Sequence, residues 1–270
     1  MATLNKHTLL YDEECPACRS YTQLFVNCRM ISPEVRQPYG KMIGQIQEKI
    51  DWVRASNEIA LVDHESGEIT YGIDSLFPVI EKSYPVFRVL FRVKAFHCLM
   101  MKLYFFISYN RKVIMPGQSA EYCSSCAPSM NYPYRLAYLL MTWLFTSWVL
   151  TAFVALLQPI VPASSFGREF LICGGQLIFQ GALVAIYNRE KLIYYLGNMM
   201  TVSFFGALAL LPALLVGAFI AMPFVYLGYF MLVVGWMLYE HSRRLKLLDM
   251  SLLISASWLL YRFLILFLIF

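Results

Sequence analysis

Charge is scarce in this chain: Asp, Glu, Lys and Arg together make up 14% of its 270 residues. Beyond Arg135 the acidic residues reduce to Glu169, Glu190, Glu240 and Asp249, so that half is not patterned for water on every side. Histidine is limited to His7, His64, His97 and His241, too scattered for the imidazole sets that hold haem or metal. No basic run is interleaved with aromatic residues, which argues against a nucleic-acid groove. No long apolar stretch precedes Asp12, so no cleavable signal peptide is expected. Internal repeats and clusters of charge inside the apolar runs are also missing, which argues against a transporter. The seven cysteines do not make an extracellular disulfide framework. Cys28, Cys98 and Cys173 stand singly in apolar or helical contexts and read as packing residues, and the other four form two C-x-x-C pairs.

What remains divides in two. Up to about residue 134 charges of both signs are spread through the chain, and from Arg135 onward long apolar runs dominate. The expectation is an α/β domain over 1–115, a linker over 116–134 and an all-α transmembrane domain over 135–270. The net charge of +5 falls largely in the membrane half, where topology accounts for it.

The chemistry centres on Leu9-Leu10-Tyr11-Asp12-Glu13-Glu14-Cys15-Pro16-Ala17-Cys18. An apolar strand here runs into two thiols at the mouth of a helix. Cys15 and Cys18 lie one helical turn apart, close enough for a disulfide or a shared metal. Pro16 suits the first helical position, where its missing N–H costs nothing. The helix N-terminus favours a thiolate, whereas Asp12, Glu13 and Glu14 oppose it, and the sequence does not rank the two effects. A redox pair is one reading; a zinc half-site or a buried structural pair is the other.

Tyr11-Asp12 followed by Cys15 and Cys18 resembles the D-x-x-C-x-x-C signature of the DCC family of thiol–disulfide oxidoreductase-like proteins. Val62-Asp63, Tyr71-Gly72-Ile73-Asp74 and Tyr104 with Asn110-Arg111 are similar to further segments of that family. The resemblance covers about residues 8–115, and the remainder is more loosely similar to the membrane extension of some bacterial members. It implies a thioredoxin-like fold, disulfide exchange and a bacterial inner-membrane location. Cys15 would be the attacking thiolate, being the more exposed end of such motifs. Cys18 would resolve the mixed disulfide, and Asp12 would relay a proton if buried near it. One departure stands out. Thioredoxin-like proteins usually carry a cis-proline facing the C-x-x-C, and the corresponding Asn57-Glu58-Ile59 has none.

Periodicity predicts strands at Thr8–Tyr11, Met30–Val35, Glu58–Val62 and Glu68–Tyr71, with turn chemistry at Asp63-His64-Glu65-Ser66-Gly67. Helices are expected over Pro16–Arg29, Tyr39–Arg54 and Ile73–Ser83. Pro85–Ser108 is apolar but interrupted by Arg88, Arg92, Lys94 and Lys102. Two readings are open for it: a basic helix on the membrane surface, or an ordinary helix covering the sheet.

Tyr109–Tyr134 reads as linker and contains the second pair, Cys123 and Cys126. That pair is a redox relay with Cys15 and Cys18, a partner to them in a four-thiolate zinc site, or inert. Five membrane segments are expected: Leu136–Leu157, Phe170–Tyr187, Leu192–Leu211, Ala218–Tyr239 and Leu252–Ile269, with the third ending at Pro212. Basic residues at Arg111, Lys112, Arg135, Arg189, Lys191, Arg243, Arg244 and Lys246 fall on one side by parity. The N-terminal domain is therefore expected in the cytoplasm and the C-terminus outside. Gln176 and Gln180 suit interhelical hydrogen bonds, and Arg262 snorkels or pairs with Glu169. The expected partners are membrane lipid, a thiol or disulfide protein and a larger membrane complex. No cofactor is expected, with zinc the alternative. Two functions compete: a membrane-anchored thiol–disulfide oxidoreductase, and a non-enzymatic accessory or assembly subunit with structural or metal-binding thiols.

Overall fold

The structure is a computed structural model that describes residues 4, 6–41, 48–117 and 129–269. The chain forms two compact units, Met1–Tyr134 and Arg135–Phe270.

The first unit is built on a mixed sheet of β1 (His7–Tyr11), β2 (Arg36–Pro38), β3 (Ala60–Asp63) and β4 (Ile69–Tyr71), in the order β2-β1-β3-β4. β1 runs parallel to β2 and antiparallel to β3, with Leu9 opposite Arg36 and Leu61. Alternation along the strands buries both faces. Leu9, Tyr11 and Leu61 join one apolar cluster, and Leu10, Ala60 and Val62 join the other. Each fully buried leucine there contributes roughly 2 kcal/mol. Helix α1 (Pro16–Asn27) packs on the first face, α2 (Trp52–Asn57) lies on the second, and α3 (Ile73–Ser83) follows β4. A 3-10 turn at Pro85–Phe87, the short α4 (Arg88–Phe91) and the long α5 (Lys94–Ile114) complete the described part of the unit.

Three local expectations shift. The second strand is not Met30–Val35, because Pro33 opens a 3-10 turn, closed by Val35 N–H on Ser32 O. Pairing begins only at Arg36. The helix expected over Tyr39–Arg54 is not continuous: Asp51 Oδ1 caps a new helix, α2, by accepting from Val53 N and Arg54 N. The linker expected from Tyr109 begins later, because α5 continues to Ile114.

The second unit consists of α6 (Tyr132–Ala155, whose first three residues belong to the first unit), α7 (Phe166–Tyr187), α8 (Leu192–Gly217), α9 (Pro223–Leu247) and α10 (Leu253–Ile269). Four of these, α6 to α9, are long and apolar enough to cross a membrane. The fifth expected segment, α10, is an apolar helix of 17 residues and falls short of that length. Pro212 does not end the third segment. α8 runs through it, and the Tyr229 hydroxyl donates to Ala209 O beside the disrupted backbone, 2.6 Å away. Pro223 opens α9 at its first turn.

Several polar side chains inside this unit find hydrogen-bond partners on neighbouring helices. Gln180 Nε2 donates to Ser257 Oγ at 3.1 Å, and Tyr195 donates to Gln180 Oε1 at 2.8 Å. Gln176 Nε2 reaches Trp258 O at 3.5 Å. His241 bridges the Tyr195 hydroxyl (3.2 Å) and Ser255 Oγ (2.9 Å). Glu169 pairs with its neighbour Arg168, while Arg262 lies over the Trp258 ring.

Candidate active site

β1 delivers Tyr11 and Asp12 to the start of α1, and Cys15 is the residue that caps this helix. Its backbone is extended (φ −87°, ψ 110°), so its side chain turns back over the first turn. Cys15 Sγ accepts from the Cys18 backbone N–H at 3.4 Å, the bond a capping hydroxyl or carboxylate usually takes. Pro16 follows at the first helical position. Cys18 sits one turn further in, and Thr22 donates to its carbonyl at 2.6 Å.

The two thiols are not distinguished by exposure, contrary to the reason for choosing Cys15 in the sequence: they are 7% and 5% exposed. Hydrogen bonding distinguishes them. The Cys18 thiol donating to Cys15 lowers the Cys15 pKa to about 6, against the cost of burial and with help from Arg111. The same bond, together with burial, pushes the Cys18 thiol far up. The two opposite shifts favour the negative charge on Cys15 and the proton on Cys18.

Arg111 lies in the last turn of α5. In the sequence it counted both as the end of the Tyr104…Asn110-Arg111 segment of the family resemblance and as a topological charge. In the structure it is buried, with Nη2 donating to Asp12 Oδ2 at 3.4 Å and to Ser56 O at 2.8 Å. Its Nη1 reaches Asn57 O at 3.2 Å and Ser108 Oγ at 3.4 Å. Burial opposes its charge, and the two thiols and Asp12 outweigh burial, so its pKa rises. Asp12 is itself buried and takes the Glu14 N–H at 3.0 Å on its other oxygen. Glu13 and Glu14 are exposed to solvent. The opposition left open by the sequence resolves toward a lowered Cys15 pKa: the Cys18 thiol and Arg111 outweigh burial and the one buried acid, while Glu13 and Glu14 face solvent.

Where a cis-proline was sought and not found, the entry to β3 is held by other groups. Tyr104 Oη accepts the Ile59 N–H at 2.9 Å, and Ser108 Oγ donates to Asn57 O. Asn57 Oδ1 accepts from Ser129 N (2.9 Å) and Ser129 Oγ (3.2 Å). Gly117 passes the other side of the pair, where a side chain would meet Glu14 O at 3.0 Å. Tyr104, Ser108 and Arg111 share one helical stripe at spacings of four and three, which is the signal that identifies them.

Cys15, Cys18 and Asp12 therefore come together as expected of a site, with Arg111 added. Cys123 and Cys126 lie outside the described residues. Cys28 and Cys98 are exposed, and Cys173 is buried in the second unit. Among the described residues no group of three or more His, Cys, Asp or Glu side chains is placed to hold a metal. No protein-family model, curated protein or solved structure matches the chain.

Proposed function

We propose that the chain is a membrane-anchored thiol–disulfide oxidoreductase of the DCC type, with a thioredoxin-like N-terminal domain. The observation that carries this reading is the asymmetry of the pair: a thiolate at Cys15, a protonated thiol at Cys18, and a buried cation beside both. The strand order and directions support the thioredoxin-like reading.

The chemistry follows from these roles. The Cys15 thiolate attacks one sulfur of a substrate disulfide, forming a mixed disulfide and expelling one substrate thiolate. Cys18 then loses its proton and attacks Cys15 Sγ. The Cys15–Cys18 disulfide forms, the second substrate thiolate leaves, and two electrons have passed to the substrate. A dithiol reductant reverses the change in the protein. Arg111 stabilises the thiolate and fixes Asp12, whose negative charge opposes ionisation of both cysteines. The Asp12 carboxylate, whose charge is felt at Cys18, is the acceptor proposed for the Cys18 proton, and exchange with Cys123–Cys126 is the proposed onward step. The apolar helices support a membrane anchor, and the basic residues Lys112, Arg189, Lys191, Arg243 and Lys246 support a cytoplasmic N-terminal domain in a bacterial inner membrane. Arg111 and Arg244 no longer count toward that orientation, because both are buried in ion pairs.

A thiol-trapping redox titration of the full-length protein tests the reading. Reversible cycling of Cys15–Cys18, a mixed disulfide trapped in Cys18→Ser, and no exchange in Cys15→Ser are expected. The burial of both sulfurs favours a second reading, an accessory subunit with structural or zinc-binding thiols. A pair that forms no disulfide at any potential, with zinc or a fixed protein companion in the purified material, decides for it.

A further inference from the structure

α5 has two unlike faces. Tyr104, Ser108 and Arg111 point into the thiol domain. On the opposite side Leu99, Leu103 and Ile107 recur every four residues and form an exposed stripe, with Leu99 62% exposed. The preceding segment repeats the theme: Val86 and Val89 are 79% and 77% exposed, and Leu90 and Val93 are exposed with them. This segment is held firmly, since Phe91 stacks on Phe77 at 4.1 Å and lies beside Phe96. An ordered surface with this many open aliphatic side chains is unusual in water.

The charges around it have one sign. From Lys82 to Lys112 the sequence contains no acidic residue. Arg88 pairs back with Glu81 at 2.8 Å, whereas Arg92, Lys94 and Lys102 are exposed and enter no ion pair among the described residues. The end of α5 is also fastened within the first unit, at Tyr134. Asn110 Nδ2 donates to Tyr134 O at 3.1 Å, and the Tyr109 and Tyr134 rings stack at 5.3 Å. From Asn110 back to Leu99 is about 17 Å along a helix.

We infer that this face, Val86 to Ile107, docks on the surface of an anionic bilayer, with the aliphatic stripe at the acyl boundary and Arg92, Lys94 and Lys102 on the headgroups. The inference combines the two readings of this segment, one for each face of the helix. The inference rests on the membrane reading of α6 to α9 and is independent of the thiol chemistry.

The test is photolabelling of the full-length protein in nanodiscs containing phosphatidylglycerol and a diazirine phospholipid, with adducts mapped by mass spectrometry. Adducts in α6 to α9 report the spans and serve as the internal reference. Adducts on Leu99, Leu103 and Ile107, with Tyr104 and Ser108 unlabelled, are expected. Relative to the spans, they fall in phosphatidylcholine discs, and in Arg92→Gln and Lys102→Gln the docked-to-free ratio drops about fivefold per charge. Labelled spans with an unlabelled stripe overturn the inference. So does a stripe that crosslinks to a second copy and ignores lipid charge. Unlabelled spans overturn the membrane reading itself.

Discussion

Arg111 and Arg244 are both almost wholly buried, and each binds a carboxylate, one in each unit. Around Arg244 the neighbours are Glu240 Oε1 at 2.7 Å and Asn198 Oδ1 at 3.0 Å, and Glu240 is also held by Arg243 through two bonds. No cysteine is among these neighbours. Around Arg111 the neighbours are Asp12, three oxygen acceptors and two thiols that titrate. The same kind of cation fastens one helix to its neighbour in one unit and favours the charged form of a thiol in the other. What differs is the chemistry placed beside the ion pair.

Breaking each pair separates the two roles. Arg111→Met leaves Asp12 buried with a single backbone donor, and a loss of about 3–5 kcal/mol is expected. Hydrogen-exchange protection of β3 is the readout, and the Cys15 titration moves to higher pH at the same time. Arg244→Met leaves Glu240 with Arg243 and orphans Asn198, so the expected loss is smaller, about 1–3 kcal/mol. It should leave the thiol titration where it was. A shift of that titration by Arg244→Met would erase the distinction.

The second comparison is between the two thiols. Alkylation of Cys15 by iodoacetamide should be half-maximal near pH 6, level above pH 7 and lost below pH 5. Cys18→Ala removes the donor to Cys15 and should raise that midpoint by a unit or more, on the order of 1 kcal/mol per unit. The linked effect on stability has a definite sign. The folded pKa of Cys15 lies below the unfolded value of about 8.5, so its contribution is complete above that value and disappears as pH falls through about 6. An unshifted midpoint in Cys18→Ala would locate the cause in Arg111 and the backbone N–H of residue 18.

The smallest effect is expected from the exposed pair Lys6–Glu65. Lys6→Ala should change stability by less than about 0.5 kcal/mol, since surface ion pairs gain little in water. A larger loss in the same hydrogen-exchange assay would mean that exposed charge matters as much as the buried pairs.

The outline of the molecule was legible in the residues. Strand alternation at Leu9-Leu10-Tyr11 and Ala60-Leu61-Val62, the turn at 63–67 and the helix opened by Pro16 all follow from local pattern. So do the apolar helices, whose composition leaves few alternatives. Misjudged boundaries came from single residues that outweighed periodicity: Pro33, Asp51, and Pro212, which its neighbours accommodate. The pair Cys15 and Cys18 was visible because its spacing is local. Arg111 was singled out with Tyr104 and Asn110 by resemblance and also counted as a loop charge, and only its distant contacts reveal its place beside the thiols.

By itself, the sequence determined where the chain turns from mixed α/β to apolar helix, and which two cysteines share a helical turn. Both are matters of composition and of spacing within a few residues. The tertiary structure decided which thiol ionises and what sets it. The hydrogen bond from the Cys18 thiol is the first cause, and a guanidinium 99 positions along the chain from Asp12, brought within 3.4 Å of its carboxylate, adds to it. In a buried setting, electrostatic energy follows distance through space and the loss of water, and neither can be read from distance along the chain.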